Sequence, residues 1–414
     1  MVMLSELLHF RVVDAQGETT RLSDMAIGEL DNDYPLVTHL IYHQDHNNKS
    51  VLPWGAVRKI DKTQRQIHVE KSGRARAGNS VEQAVHLRRD VLDALILDLQ
   101  NRRVTLANDL WLEEKSGELR LSAVDTRARA ILRRLMRGKF QETNRQALFD
   151  WKYIEFLRGD PQAVHAGAGY HRRIVHLPPG EIAHLAASMP YLHAAELLEL
   201  VPEQLAADIL EVMSPERQLQ VFEELAPKRV LQVLTHMAPD LAADIVGRLD
   251  VELAQQYLNA LPKKPGERIV DLLKYPEHTV GGIMTNDVVT VPSKLTVRKA
   301  RSTLRERLKE PDFVYFLYVV EDRPPHKLRG VLSLRQFLTA EDDQTIEEIM
   351  NPYILALSPF DSSISAAYKL LNSQLAALPV VGKDGQLIGT VTIDAAVSQV
   401  APRNWRAQAP KVFS

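Results

Sequence analysis

Apolar positions along this chain change their period twice. From residue 4 to 70 they alternate with polar ones, as in Arg11-Val-Val-Asp14, Leu36-Val-Thr-His-Leu-Ile-Tyr42 and Ile67-His-Val69. β-branched and aromatic types dominate there, which predicts half-buried strands. From Leu177 to Leu273 the apolar spacing becomes three and four, in short bursts separated by prolines. Beyond Met284 strand-like and helix-like segments take turns. These regimes predict a multidomain α+β protein: two small β-barrels, an α-helical superhelix of short Pro-started helices, then a tandem α/β pair.

The β-rich start is duplicated. A shift of 84 residues lays Asp14, Gln16 and Leu22 over Asp98, Gln100 and Leu106, with Ser23-Asp24 over Ala107-Asn108. The first β domain is expected at 1–75 and the second at 84–140, the latter including a basic helix. From Arg127 to Lys139, Ile131, Leu132, Leu135 and Met136 share one helical face, with Arg129, Arg133, Arg134 and Arg137 around them. Such a helix could lie on an anionic membrane or touch nucleic acid, and packing of its apolar face on the second barrel explains it as well. The packed reading is adopted, with no nucleic-acid partner. Residues 141–176, with Trp151, Tyr153 and Phe156, read as a linker or docking segment, and His165-Ala-Gly-Ala-Gly169 is too short for a phosphate loop. His39, His43 and His46 do not make a metal site, because strand positions four apart stand about 13 Å from each other.

Between 177 and 274, Pro179, Pro190, Pro202, Pro215, Pro227, Pro239 and Pro262 recur every 11 to 13 residues, with one missed beat near Asp250. Each proline suits the first turn of a helix of nine or ten residues. Stripes such as Leu205, Ile209 and Val212, or Leu241, Ile245 and Leu249, leave each helix dependent on its neighbours for a core. Tyr275 to Thr285 forms the joint to the last region, and Gly281 and Gly282 are expected to act as its hinge through their φ freedom. After it, strand-helix-strand-strand-helix occurs twice, over 283–345 and 346–402, ahead of a tail at 403–414.

Composition narrows the possibilities. With 51 basic against 53 acidic residues the net charge is only −2, yet the distribution is uneven. Residues 127–173 hold 11 bases and 4 acids, whereas 176–284 hold 8 bases and 16 acids, so a basic connector precedes an acidic helical region. No uninterrupted apolar run is long enough to span a bilayer and no export signal opens the chain, so a cytoplasmic protein without a transmembrane segment of its own is expected. The absence of Cys fits that compartment and removes disulfides, thiolate nucleophiles and Cys-based zinc sites. Acid pairs three or four apart share a helix face: Glu196 with Glu199, Asp208 with Glu211, Asp240 with Asp244. Each offers oxygens to Mg2+, which keeps several waters and needs only one or two carboxylates.

Several motifs carry resemblances. Val12-Val-Asp-Ala-Gln-Gly17, Tyr34-Pro-Leu-Val-Thr38 and Leu52-Pro-Trp54, with Ile96-Leu-Asp-Leu-Gln-Asn-Arg-Arg103 in the second copy, resemble PRC-barrel domains, which implies an adaptor role. Tyr275-Pro-Glu-His-Thr-Val-Gly-Gly-Ile-Met-Thr285, Leu328-Arg-Gly-Val-Leu-Ser-Leu-Arg335, Glu348-Ile-Met-Asn-Pro352 and Leu378-Pro-Val-Val-Gly-Lys-Asp-Gly-Gln-Leu-Ile-Gly-Thr-Val-Thr392 resemble the cytosolic half of MgtE-type magnesium transporters. That half consists of an N domain of Pro-punctuated helices and a tandem CBS pair. The resemblance implies that Mg2+ binds between acidic faces of the N and CBS domains and closes a membrane pore. It also implies a homodimer through the CBS domains.

This chain departs from the family at several points. His278 stands where the family has an acid, Gly382 and Lys383 replace a Val-Val-Asp-Glu-like ending, and Asp394 is followed by Ala395 instead of a second Asp. The sequence reaches Ser414 without the pore helices, so a regulator acting on a membrane transporter partner is expected rather than a pore. Candidate Mg2+ ligands are Asp208, Glu211, Asp240, Asp244 and Asp394. No nucleotide is expected, because Ser333 is followed three residues later by Gln336 and Thr392 by Ala395, where adenosine-binding CBS modules commonly carry Asp. The alternative is a structural adaptor with the same fold and no working ion site. An enzyme is not expected, since no nucleophile elbow, phosphate loop or His-Glu-x-x-His run occurs.

Overall fold

Alternating residues at the start of the chain fold into sheets because each strand has one apolar face to hide. The computed structural model describes residues 2–28, 33–45, 48–70, 84–115, 117–135, 148–156, 174–308 and 314–401. His46, Met136, Arg137, the 165–169 glycine segment and the 403–414 tail lie outside the described residues. The chain divides into two compact units, Met1–Met213 with Gln220–Leu225 and Ser214–Leu219 with Ala226–Ser414.

The first unit begins with β1 (Val2–Met3), α1 (Leu4–Leu7), β2 (Arg11–Val13), β3 (Thr19–Ile27), β4 (Val37–Asp45), β5 (Asn48–Pro53), β6 (Val57–Asp61) and β7 (Gln66–Val69). The second copy supplies β8 (Val85–His86), β9 (Leu95–Asp98), β10 (Arg103–Leu106), β11 (Asp109–Lys115), β12 (Glu118–Asp125), α2 (Ala128–Leu135), β13 (Phe149–Asp150) and β14 (Ile154–Phe156). One sheet runs β5-β4-β3-β2-β7-β6 with β8 also on β3; the others run β1-β11-β12-β13 and β10-β9-β14.

The two copies exchange their first strands. β1 pairs with β11, Val2 opposite Leu112, while β8 pairs with β3, Val85 opposite Ile27. A buried Asp of the receiving copy holds the turn that follows each exchanged strand. Asp109 accepts from the Ser5 amide (3.1 Å) and hydroxyl; Asp24 accepts from the amides of Arg88 (2.8 Å) and Arg89 (3.1 Å). A single core with Leu7, Met25, Leu40, Leu87, Leu112 and Trp151 therefore serves both copies.

Two expectations change here. Residues 149–156, read as part of a linker, complete the sheets: β13 pairs with β12, β14 with β9, and Trp151 and Phe156 are buried. Trp151 opens a 3-10 turn just as Trp54 does, so it is the second copy's equivalent residue. The helix α2 also faces the other way. Arg133 is 6% exposed, whereas Ile131 and Leu132 are 41% and 51% exposed. The cause lies beneath it: Asp109 and Asp125 are buried carboxylates that require a cation, and Arg133 Nη2 sits 2.9 Å and 3.3 Å from them.

Helices α3 (Pro179–Ala187), α4 (Tyr191–Leu200) and α5 (Glu203–Glu211) complete this unit, with α3 packed on both of its successors. The division between units falls within α6 (Pro215–Glu223). The second unit continues the repeat with α7 (Pro227–His236), α8 (Pro239–Val246), α9 (Val251–Ala260) and α10 (Lys263–Leu272), where α8 and α9 both pack on α10. Prolines open α3, α6, α7 and α8 and immediately precede α4, α5 and α10. Asp250 fills the missed beat as the residue before α9.

The tandem pair follows α11 (Val280–Ile283). Its first copy has β15 (Thr290–Pro292), α12 (Val297–Arg307), β16 (Phe316–Val320), β17 (Leu328–Ser333) and α13 (Leu334–Thr339). α14 (Ile346–Ile349) leads into the second, with α15 (Ser363–Ser373), β18 (Ala377–Val381), β19 (Leu387–Thr392) and α16 (Ile393–Val400). β15 runs parallel to β16, and the second copy keeps only a parallel bridge, Leu357 to Val380. Exchange recurs: Thr285 ahead of the first copy bridges to Thr390 of the second, and Asn351 ahead of the second bridges to Val331 of the first. Tyr318 Oη and Thr390 Oγ1, 2.6 Å apart in the interior, tie the copies together, and burial pushes the Tyr318 phenol up to about 12.

Each exchange needs a glycine on the receiving strand. A Cβ on Gly330 would lie 2.6 Å from Met350 Sδ, and one on Gly389 would lie 2.7 Å from the Thr285 carbonyl and 2.9 Å from Met284 Sδ. The backbone carbonyl beside Gly389 cannot swing away. Gly389→Ala is therefore expected to destabilise the second unit by about 1–3 kcal/mol through overpacking, seen as an earlier unfolding transition in urea. An unchanged transition would contradict this packing account.

Candidate functional site

Asp240 enters the site because α8 starts at Pro239, which places the acid in the helix's first turn. Carboxylates are favoured there by the exposed amides of the helix start. Its carboxylate accepts from its own amide, from the Leu241 amide and from the Thr285 hydroxyl of the joint. Burial nevertheless pushes its carboxyl above the usual range, and the neighbouring charge of Asp287 adds to the rise. One turn later on the same helix, Asp244 is pushed up to about 6. Burial of the carboxyl is the largest cause; Arg248 opposes it, and the charges of Asp240 and Glu277 reinforce it. Its side chain still reaches solvent, so the shift reflects the crowd of protein behind it more than complete enclosure.

Asp240, Asp244, Glu277 and Asp287 therefore form a chain of mutually repelling carboxylates within the second unit, contributed by α8, by the start of the joint and by the segment just after it. The nearby cations are few. Arg268 Nη2 lies 2.7 Å from Asp287 Oδ1, and the Asn286 amide donates to the Arg268 carbonyl at 2.9 Å. Among the described residues no three Asp, Glu or His side chains converge into a ready-made metal cage.

The joint is held, not loose. Val280 and Gly281 amides donate to the carbonyls of Asp361 and Pro359 at 2.8 Å each, and the Ser363 amide donates to the His278 carbonyl at 3.0 Å. The rings of Tyr275 and Phe360 pack with centroids 5.9 Å apart. Gly281 and Gly282 lie inside α11 with no left-handed φ; the residue of the joint that adopts one is His278, at 65°. The glycines are needed for closeness instead. A Cβ would come within 2.4 Å of the Tyr275 ring at position 281 and 2.6 Å of the Pro276 carbonyl at 282.

The remaining sequence candidates are placed elsewhere. Asp208 and Glu211 sit on α5 in the first unit, where Gln204 Nε2 donates to Asp208 Oδ1 at 2.9 Å. Asp394 is exposed at the start of α16 and accepts from Tyr315 Oη at 3.3 Å. Glu196 is buried, so its pair with Glu199 does not present two open carboxylates. Among the described residues of the second unit, Asp240 and Asp244 are brought together with two further acids, Glu277 and Asp287. A search for acids at helical spacing misses both, because one precedes a four-residue helix and the other follows it.

The hydroxyls at the starts of α13 and α16 are already engaged. Ser333 Oγ accepts from the Gln336 amide in a capping box that opens α13, and Thr392 Oγ1 accepts from the Ala395 amide at the start of α16.

Comparison with known proteins agrees with this architecture. Residues 177–278 match the MgtE intracellular N domain, and 280–343 and 346–401 match the CBS domain. The magnesium transporter MgtE of Thermus thermophilus is 31% identical over 140 residues, which cover 34% of this chain and 31% of that relative. The chain thus spans about a third of the length of the curated relatives it matches. The solved cytosolic domain of the Mg2+ channel MgtE in complex with ATP aligns with a TM-score of 0.53 at 27% identity, over 58% of this chain and 95% of that one. A soluble part of a magnesium transporter aligns with a TM-score of 0.52 at 25% identity, over 60% and 94%. The chain carries an MgtE N domain followed by tandem CBS domains. The ATP in the first structure runs against the expectation of no nucleotide, which rests on the residues at 333–336 and 392–395. No helix among the described residues is long and apolar enough to cross a membrane.

Asp244 makes the charge crowding measurable. Because its carboxyl titrates near 6 in the folded unit and near 3.8 when free, folding takes up a proton between those values, and stability falls as pH rises through that window. Asp244→Asn is expected to unfold later than the wild type above pH 6, with the difference vanishing as pH falls towards 3.8. Urea melts at several pH values would show it. A variant less stable than the wild type at pH 8 would contradict the assignment.

Proposed function

We propose that this chain is a cytoplasmic, magnesium-responsive regulatory module that acts on a partner, a membrane transporter, through the arrangement of its N-type helices and CBS pair. The observation that carries this reading is the line of carboxylates Asp244, Asp240 and Asp287 with Glu277, in which Asp240 and Asp244 are raised in pKa first by burial and then by the charges of their acidic neighbours. A hydrated divalent cation relieves such repulsion, and the energy of like charges in a partly dry contact is large enough to bias the arrangement. Asp240 and Asp244 would hold the ion's water shell, Glu277 and Asp287 would complete the acidic surround, and Arg268 would limit the net charge. Asp208, Glu211 and Asp394 are proposed as contributors outside this group.

A homodimer through the CBS pair belongs to the same proposal. Helix α15 leaves Ile364, Tyr368 and Leu371 exposed at spacings of four and three, with Leu375 and Phe360 at its ends, which is more apolar surface than a solvent-facing helix ordinarily shows. The second reading, a structural adaptor without a working ion site, is favoured by His278 and by the backbone bonds that fasten the joint.

Hydrogen exchange separates the two readings. With millimolar Mg2+, amides of α8 and of residues 275–287 are expected to gain protection, and Asp240→Asn with Asp244→Asn is expected to abolish the gain. Equal exchange with and without Mg2+ would establish the adaptor instead.

A further inference from the structure

A cavity of about 210 Å³ opens in the first unit where the exchanged α1 segment meets the β6–β7 turn and α2. Lys62, Arg65, Arg133 and Arg134 line it together with His9, against one carboxylate, Glu6. Asp109 and Asp125, which pair with Arg133, and Asp93, which pairs with Arg134, are not part of the lining. They hold the two guanidinium groups from outside the cavity. Asp93 takes both Nη atoms of Arg134, and Asp109 and Asp125 share Arg133 Nη2, so the two groups are ordered before any ligand arrives and reach the cavity with edges other than those bonded to these carboxylates.

The duplication supplies a second, independent observation. Both copies have an Asp that grips the turn after an exchanged strand, Asp109 with Ser5 and Asp24 with Arg88 and Arg89. Only the second copy carries a helix between the equivalent strands. In the first, β4 leads directly into β5; in the second, α2 lies between β12 and β13. That helix turns Arg133 and Arg134 inward and leaves Ile131 and Leu132 largely in solvent. A helix added only to cover a sheet would bury the isoleucine and leucine and expose the arginines. Its orientation, set by Asp109 and Asp125, places two carboxylate-paired guanidinium groups beside Lys62 and Arg65 at one of two otherwise equivalent junctions.

We propose that this cavity binds a compact oxyanion of the phosphate class, free or as the phosphate group of a small molecule, between the α2 arginines and the β6–β7 turn. The volume suits a small ligand and not a polymer. The chain's net charge of −2 gives no general attraction for anions, so specific binding would have to come from this local set.

Inorganic phosphate is the probe, and the full chain is titrated by calorimetry at constant ionic strength. Saturable binding is expected, together with a higher thermal midpoint in phosphate than in chloride. Lys62→Glu with Arg65→Glu changes two exposed turn residues outside the buried Asp109–Arg133–Asp125 network. It should weaken phosphate binding about tenfold or more and remove the rise in thermal midpoint that phosphate produces over chloride. Comparable binding of sulfate would support the oxyanion class. Absence of saturable heat, an equal response to chloride, or unchanged affinity in the double variant would overturn the proposal.

Discussion

Close backbone contact at the joint governs how the second unit can respond to charge. Gly281 and Gly282 bring α11 so near Tyr275 and Pro276 that no side chain fits between them, and the same segment is bonded to the second CBS copy at Val280, Gly281 and His278. Glu277 and Asp287 are thereby fixed at the two ends of a short, rigid passage, and Thr285 between them holds Asp240 at the start of α8. Carboxylates on flexible loops would drift apart at little cost. Held here, Asp240 and Asp244 are left with two routes to relief, taking up protons or taking up a cation; burial first, and then the charges of Asp240 and Glu277, push Asp244 up to about 6.

The same construction appears twice in the chain at different scales. Each duplicated region exchanges its leading residues with its sister copy, by whole short strands in the β-rich unit and by single bridges in the CBS pair. Exchange makes each copy incomplete alone, so burial of one copy's core depends on the other. It also concentrates special residues at the crossing points: Asp24 and Asp109 where turns must be held, Gly330 and Gly389 where backbones come close.

Elements with a strong period were legible in the sequence. The proline rhythm located α3 to α10 closely, because proline at a helix start is a local preference that tertiary contacts rarely override. The CBS strands and helices were legible for a similar reason. What escaped was set by partners distant in sequence. β1 and β8 are two residues long and carry no pattern; their pairing is decided by the sister copy. Trp151 was hidden by the α2 insertion, which changes the offset from 84 to 97, the difference between positions 151 and 54. The facing of α2 could not be read from its own residues, since Asp109 and Asp125 below it choose arginine over leucine. The joint's glycines invited a hinge reading because glycine permits both unusual φ and close approach, and here only the second is used. At the candidate site, spacing found Asp240 and Asp244, but Glu277 and Asp287 required the path of the chain.

The central claim is that these carboxylates exchange protons for a divalent cation. Calorimetric titration of the full chain with Mg2+ near pH 6, repeated in buffers of different ionisation enthalpy, measures the protons released per ion bound. Binding accompanied by proton release near pH 6, fading by pH 8 where Asp244 is already ionised, is the expected result. Mg2+ binding with no proton release near pH 6, or no binding at either pH, would contradict the account.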